Sequence, residues 1–310
     1  MTKKYINKLD IDLLNKISNY KNIRKGAYNI RKDGKGVERN TTDNINILTK
    51  KDKPGIDIYV KANTKGESIH IPVILTEEGL NDLVYNDFYI GENACVTIIA
   101  GCGIHNDSHA KSQHDGIHRF YLEKNAKVKY IEKHYGEGNS DGKKVLNPVT
   151  EVYLKAGSSM EMDSTQIKGV DSTIRRTIGV LEENTNFVVS EKIMTDGKQK
   201  AKTEFDVKLN GDNSSTHVVS RSVATENSKQ VFKSKIYGNS NCYARSECDA
   251  IIKDNAKVTA IPEITANNVD ATLVHEAAIG KIAGEQLTKL MTLGLSEKQA
   301  EEEIIKGFLR

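Results

Sequence analysis

A corner that returns at a nearly fixed interval constrains this chain more than any other feature. Tyr89-Ile90-Gly91-Glu92-Asn93-Ala94-Cys95-Val96 comes back as Tyr121-Leu122-Glu123-Lys124-Asn125-Ala126-Lys127-Val128. Related versions run over Tyr153–Met160 and Val180–Phe187, shorter echoes over Leu209–Asn213 and Ile236–Ser240, and a last copy over Ile252–Val258. The intervals from Asn93 to Asn125 and from Asn125 to Gly157 are both 32 residues, and later ones are shorter. Each copy leads an apolar segment into Asn or Gly, which tolerate a tight corner at positive φ, and out into a β-rich segment. Polar corners at such a period predict stacked coils, and hence a parallel β-helix. An antiparallel β-sandwich competes less well, because its hairpins bring a turn about every 8–12 residues.

Composition agrees with a solenoid. Hydrophobic residues make up 37% and charged residues 28% of the 310, a balance suited to much surface for the volume enclosed. No apolar run approaches the roughly 20 residues of a membrane helix. The charged start Met1-Thr2-Lys3-Lys4-Tyr5 has no apolar stretch behind it, so a cytoplasmic protein is expected. Four cysteines, Cys95, Cys102, Cys242 and Cys248, with no C-x-x-C pair, argue against a disulfide scaffold and weaken a zinc ribbon. Met1–Lys53 carries fourteen Lys/Arg against six Asp/Glu, a net +8, which leaves −5 for the rest of a chain of net charge +3. That stretch offers only Tyr5, Tyr20 and Tyr28 for stacking and no nucleic-acid motif, so it reads as a solvated basic face; no nucleic acid and no membrane are expected as partners.

Three segments follow. Residues 1–55 hold one amphipathic helix, with Ile11, Leu13, Leu14 and Ile17 as its apolar stripe, and a basic, turn-rich connection over Lys25–Asn44. Residues 56–280 are the β-helix core, opened by the alternation of Ile56, Ile58, Val60 and of Ile69, Ile71, Val73. Residues 281–310 form a helical pair. Leu287, Leu290 and Met291 share one helical face, Gly294 stands where a helix-ending glycine is expected, and Ser296-Glu297-Lys298-Gln299 is a capping box that starts a second helix through Ala300, Ile304 and Phe308.

Two groups of residues could carry chemistry. Cys248 and His275 are 27 residues apart, close to one repeat, and Glu276 adjoins His275. Stacked coils bring residues one repeat apart within roughly 5–10 Å, a workable span for a shared inorganic ligand, whereas adjacent strand residues face opposite sides. The second group is Cys102, His105, His109, His114 and His118, with His134 one strand later. Imidazoles and a thiolate suit zinc or iron, and Gly101, Gly103 and Gly116 place the group in a loop between coils. A polar loop without metal is the plainer alternative. Cys242, six residues before Cys248, would need a bend to approach it.

The carboxy-terminal motifs, Glu247-Cys248-Asp249-Ala250-Ile251-Ile252, Leu273-Val274-His275-Glu276-Ala277-Ala278-Ile279-Gly280 and the run from Glu285 through Gly294-Leu295-Ser296-Glu297 to Lys306-Gly307-Phe308, resemble the SufB/SufD family, which assembles iron–sulfur clusters beside an ATPase. The resemblance is strong from about Gly238 to Phe308. It implies a right-handed β-helix followed by helices, with Cys248 and Glu276 as first-choice cluster ligands and His275 alongside. It implies a transient iron–sulfur cluster built where two copies, or this chain and a second SufB/SufD-like chain, pair through their late strands. It implies too that Leu287, Leu290, Met291, Ile304 and Phe308 dock a SufC-type ABC ATPase. Glu276 is a SufB-like feature, since SufD-like chains have His followed by Gly here, while Asn268-Val269-Asp270 and Ala278-Ile279-Gly280 are similar to SufD. Typical SufB chains are longer at the amino terminus, so a reduced, self-pairing homodimer is expected. The residues neither assign nor exclude a flavin.

No G-x-x-x-x-G-K-[ST] is present, so ATP hydrolysis is expected in the partner and this chain is expected to be a scaffold, not an enzyme. Gly138-Asn139-Ser140-Asp141-Gly142 has the letters of a nucleophile elbow but lies in a polar run with Pro148 close behind, and reads as a turn. A β-helix metalloenzyme using the histidine-rich stretch and a metal-free interaction module remain as competitors. The former fits poorly with a chain that has no Trp for sugar stacking.

Overall fold

A computed structural model of the chain describes residues 6–18, 26–139 and 141–310. Tyr5, Tyr20 and Ser140 lie outside the described residues. Strand accounts for 59% of the chain, wound into a parallel β-helix of about eight turns. Two ten-stranded sheets face each other, and successive strands alternate between them. Each coil therefore gives one strand to each sheet and pairs in parallel with the coils before and after it.

The corners are where the repeat places them. Asn63, Asn93, Asn125, Asn184 and Asn213 have φ between +55° and +62°, and Gly157 has +73°. Asn side chains stack along this edge, Asn125 donating to Asn93 Oδ1 at 3.1 Å and Asn213 to Asn184 Oδ1 at 3.2 Å. The copy at Ile252–Val258 differs. It joins Tyr243–Ile252 to Lys257–Ala266 in the other sheet, with Asp254 at φ +59°, so it turns the opposite edge. The similarity of the two edges reflects a shared need for a left-handed residue between strands.

Period-two alternation decides what is inside. In Lys127–Glu137, residues Val128, Tyr130, Glu132 and His134 are buried and their neighbours are not. Phe88 and Phe120 stack inside at 4.4 Å, each burial contributing roughly 1.5–3 kcal/mol. Outside, Tyr59, Tyr89, Tyr121 and Tyr153 form a stacked ladder with centroids 4.8, 5.2 and 5.1 Å apart.

The amino-terminal mouth corrects the expected turn-rich connection. Ala27–Lys32 and Lys35–Asn40 are an antiparallel hairpin around Asp33-Gly34, at φ +46° and +75°. An Asp-Gly pair between two strands is a hairpin signal, and the first strand then leads into the sheet beside Lys65–Leu75. A second hairpin, Ile45–Thr49 with Gly55–Val60, starts the other sheet. Helix α1 (Lys8–Ser18) lies across the outside of the first sheet. Leu13, Leu14 and Ile17 are buried, but Ile11 is 36% exposed and falls outside the stripe expected for it. The helix comes this close because Gly101 has no side chain: a Cβ there would stand 2.9 Å from Ile17 Cβ.

The carboxy-terminal end is open. In the last coil, Lys257–Gly280, most residues are exposed, including Ile261, Ile264 and Ile279. Helices α2 (Gly284–Thr292) and α3 (Glu297–Phe308) do not cover it. They pack beside the Ile251–Lys253 corner, held by Lys253–Glu301 at 2.6 Å and by Lys192 Nζ donating to Arg310 O at 2.9 Å. The capping box of Ser296 and Gln299 forms as the sequence predicts, and Gly294 takes φ +94°.

Candidate functional site

Cys248 lies on the inward face of Tyr243–Ile252, one coil below the open end, and is 1% exposed. The next strand in that sheet, Thr272–Gly280, sets Ser246 opposite His275, Glu247 opposite Glu276 and Cys248 opposite Ala277. His275 thus shares the inward face with Cys248, offset by one strand and two residues, a separation of roughly 8 Å from strand geometry. Glu276 points outward. There it pairs with Arg245 at 2.8 Å, which also holds Glu247 at 2.5 Å, and Glu247 meets His217 Nε2 at 2.8 Å. Of the three expected ligands, the register joins the thiol and the imidazole and turns the carboxylate away.

The protonation chemistry of this pair is distinctive. Burial, with the nearby charges of Glu191 and Asp249, pushes the Cys248 thiol up to about 12. Both ring nitrogens of His275 are shielded from solvent and have no hydrogen-bond partner among the described residues, and burial lowers the pKa of the ring. A neutral imidazole with two shielded, unmet nitrogens costs free energy unless something binds it. Cys242 is also inside, at the corner where a Cβ on Gly238 would come 3.2 Å from its sulfur. All four cysteines are free.

The histidine-rich stretch is not a loop. Cys102 and His105 belong to the strand Cys95–His105, and His114 and His118 to Ser112–Leu122, leaving only residues 106–111 between. The glycines that suggested a loop serve packing instead: Gly116 sits between two inward rings, where a Cβ would be 3.2 Å from His114 Nε2 and 3.4 Å from His118 Nε2. The strands divide the five residues. Cys102, His114 and His118 join His134 and Glu132 around an interior cavity of about 20 Å³, room for a single water. His105 and His109 stay outside, His105 Nε2 2.9 Å from Asp107 Oδ2 and His109 on Asp141. Among the described residues, no group of three or more His, Cys, Asp or Glu is arranged to hold a metal ion.

Inside the cavity the hydrogen bonds are nearly complete. Asn86 Nδ2 lies 3.3 Å from His118 Nε2, His118 Nδ1 lies 2.8 Å from the Tyr130 hydroxyl, and that hydroxyl donates to Glu132 Oε1 at 3.0 Å. These partners assign a neutral His118 protonated on Nδ1. Arg175, 2% exposed, donates to Glu132 and to His134 Nδ1 at 3.0 Å, and its Nε is 3.4 Å from Glu191. His114 Nδ1 is 3.0 Å from Asp82, which Arg31 grips through two nitrogens at 3.0 and 2.6 Å. Burial drives His118 down to about 4 and lowers His134. Burial opposes ionisation of Glu132, yet Arg175 holds that carboxyl well below its usual range. Burial raises the Cys102 thiol, helped by Asp82 and Glu132.

Register connects the two thiol regions. Glu132, Ser164, Glu191, Ser220 and Cys248 occupy one inward column of successive strands, and Cys102, His134 and Gln166 the column beside it. Glu191 accepts from Ser220 Oγ at 2.9 Å and from Thr203 Oγ1 at 3.0 Å. Glu132, Arg175 and Glu191 were not singled out from the sequence, although strict alternation puts all three at inward positions, where a charge is conspicuous.

The residues expected to meet an ATPase lie on α2 and α3. Met291 is exposed, while Leu287, Leu290, Ile304 and Phe308 are half-buried. Leu287, Ile282, Ile305 and Val223 help line a cavity of about 510 Å³ between the helices and the β-helix. No helix among the described residues is long and apolar enough to cross a membrane.

Residues 83–308 match the family described as "SUF system FeS cluster assembly, SufBD core domain". An iron–sulfur cluster assembly SufBD family protein of Methanocaldococcus jannaschii is 30% identical over 292 residues, covering 92% of this chain and 90% of that protein. A SufBD family protein of Archaeoglobus fulgidus is 25% identical, covering 83% of this chain and 69% of the relative. One from Methanothermobacter thermautotrophicus is 27% identical over 76% of this chain, which spans 57% of that relative's length.

Proposed function

This chain belongs to the SufBD family of iron–sulfur cluster assembly proteins, and from that premise we propose that it is a scaffold whose open carboxy-terminal end holds the nascent cluster as cargo. The observation that carries this is His275, a half-buried imidazole whose two ring nitrogens are both shielded and unpartnered among the described residues, on the same inward face as the Cys248 thiol. Clusters are held by thiolates and, in some, imidazoles, usually four donors in all. One chain supplies two here, so the donor set fits a cluster shared by two copies meeting end to end, or by this chain and a second SufB/SufD-like chain. The uncovered last coil, with Ile264 and Ile279 exposed on its inward side, favours such a pairing.

Ligation needs the thiolate, and a thiol at about 12 is protonated at neutral pH. A metal ion bound beside it displaces that proton. Ser220 and Glu191 stand next in the Cys248 column, and burial raises the Glu191 pKa despite Arg175, so Glu191 is suited to receive the proton through the Ser220 hydroxyl. Glu276, on the outer face with Arg245, then acts at the rim, in the salt-bridge cluster that pairing would cover. The chain itself performs no ATP hydrolysis. A SufC-type ABC ATPase docks on α2 and α3, where Met291 is exposed, and its cycle moves the paired scaffold ends.

Anaerobic reconstitution with ferrous iron and sulfide tests the reading. The wild type should develop cluster absorbance in a dimeric fraction, and Cys248→Ser and His275→Ala should each lose it while remaining folded. Full absorbance in both variants would defeat the assignment.

A further inference from the structure

The amino-terminal mouth of the β-helix contains an open cleft of about 590 Å³ that cluster assembly at the other end does not use. Its walls are the two hairpins that begin the sheets. The first contributes Asn29, Arg31, Glu38 and Arg39, and the second Lys50, with Lys53 in its turn. The floor is aliphatic apart from Asn86, with Ile56, Ile71, Val73 and Val84.

The cations of this cleft are of two kinds. Arg31 and Lys50 are neutralised from behind the walls, Arg31 by Asp82 and Lys50 by Asp57 and by Asp87 at 2.7 Å. Arg39 and Lys53 are not. Arg39 spends Nε on Asn29 Oδ1 at 2.9 Å and Nη1 on Ile47 O at 3.3 Å, and meets no carboxylate within ion-pair distance among the described residues. Among the described residues Lys53 has only its sequence neighbour Asp52, at 4.0 Å, and it stands over the Tyr85 ring. Glu38, the one acid lining the cleft among the described residues, accepts the Tyr28 hydroxyl at 2.7 Å. A planar guanidinium with a free edge and an ammonium, facing one space of ligand size, suit oxygen anions in phosphate or carboxylate groups. Among the described residues no aromatic side chain lines the cleft, so its described lining offers nothing to stack on a nucleobase.

We propose that this cleft is a binding site for a small ligand bearing two or more oxyanion groups, phosphate or carboxylate, with Arg39 gripping one group and Lys53 another. Its floor reaches the interior: Asn86 lines the cleft and also contacts His118, while Arg31 lines it and holds Asp82 against His114. A bound oxyanion therefore lies one or two hydrogen bonds from the sealed histidine set.

Calorimetric titration of the full chain with pyrophosphate and, separately, citrate tests the site and distinguishes the two oxyanion types. Saturable binding of at least one probe is expected. Arg39→Gln and Lys53→Gln should each weaken it by about tenfold or more, since each removes a charge-assisted contact. Lys208→Gln, which removes an exposed charge on the outer face of the β-helix, should leave affinity unchanged, and circular dichroism should show all variants folded. Absence of saturable binding, or equal weakening in Lys208→Gln, would overturn the proposal. Cluster reconstitution of the same variants should be unaffected, so this result stands apart from that at Cys248.

Discussion

Two thiol–imidazole groups lie inside this β-helix, and they differ in what their nitrogens do. Around Cys102, His118 and His134 have both nitrogens near partners, and Arg175, Glu132 and Asp82 complete the charges. Beside Cys248, His275 has neither nitrogen satisfied. The first group is closed by coils on both sides; the second is one coil from an uncovered end. Histidine count therefore misleads here. The denser cluster is the one whose bonding capacity is consumed by structure, and the sparser one retains capacity for a ligand.

The largest expected effect breaks the closed group. Arg175→Met leaves Glu132 and Glu191 buried without their cation, and should cost about 3–5 kcal/mol in urea unfolding. A loss below about 1 kcal/mol would show that the network is not what holds the middle coils. Next comes pH. His118 takes up its proton near pH 6.5 when unfolded but only at about 4 when folded, so the unfolded state binds more protons between those values. Stability should be full above pH 6.5 and fall as pH drops towards 4, by on the order of 3 kcal/mol from this group. His118→Gln should flatten that slope, and an unchanged slope would place the titration elsewhere.

At the open end the expected pattern reverses. His275→Ala removes a ring with no partners, so stability should change by less than about 1 kcal/mol, while iron uptake is lost. A large stability loss would make His275 a structural residue after all. Smaller still, Glu191→Gln removes a negative charge near Cys248 and should lower the thiol pKa from about 12, read as thiolate absorbance in a pH titration. No downward shift would disconnect that carboxylate from the thiol.

Much of this was legible in the sequence. The Asn corners fixed the coil, because a left-handed position every repeat admits few residue types, and the capping box and Gly294 marked the terminal helices. The hairpin at Asp33-Gly34 is hard to read from the sequence because its strands, Ala27–Lys32 and Lys35–Asn40, carry five charged residues against four apolar ones. The family resemblance paired Cys248 with Glu276, but register, a property of the partner strand, sends Glu276 outward and His275 inward. The histidines at 105–118 looked like one group because they are close in sequence. Alternation puts His114 and His118 inside and His105 outside, while His109 lies in the connection between the strands, both of the latter near carboxylates. Glu132, Arg175 and Glu191 do not stand out in the sequence because each is an ordinary residue there, and only its inward parity makes it unusual.

Pulsed EPR of the reduced, reconstituted protein carrying ¹⁵N-histidine gives the sharpest discrimination between the two groups. A directly bound imidazole nitrogen should appear as a strong ¹⁵N coupling that vanishes in His275→Ala and persists in His114→Ala. A spectrum without nitrogen coupling, or one in which the coupling survives His275→Ala, would contradict cluster binding at the open end.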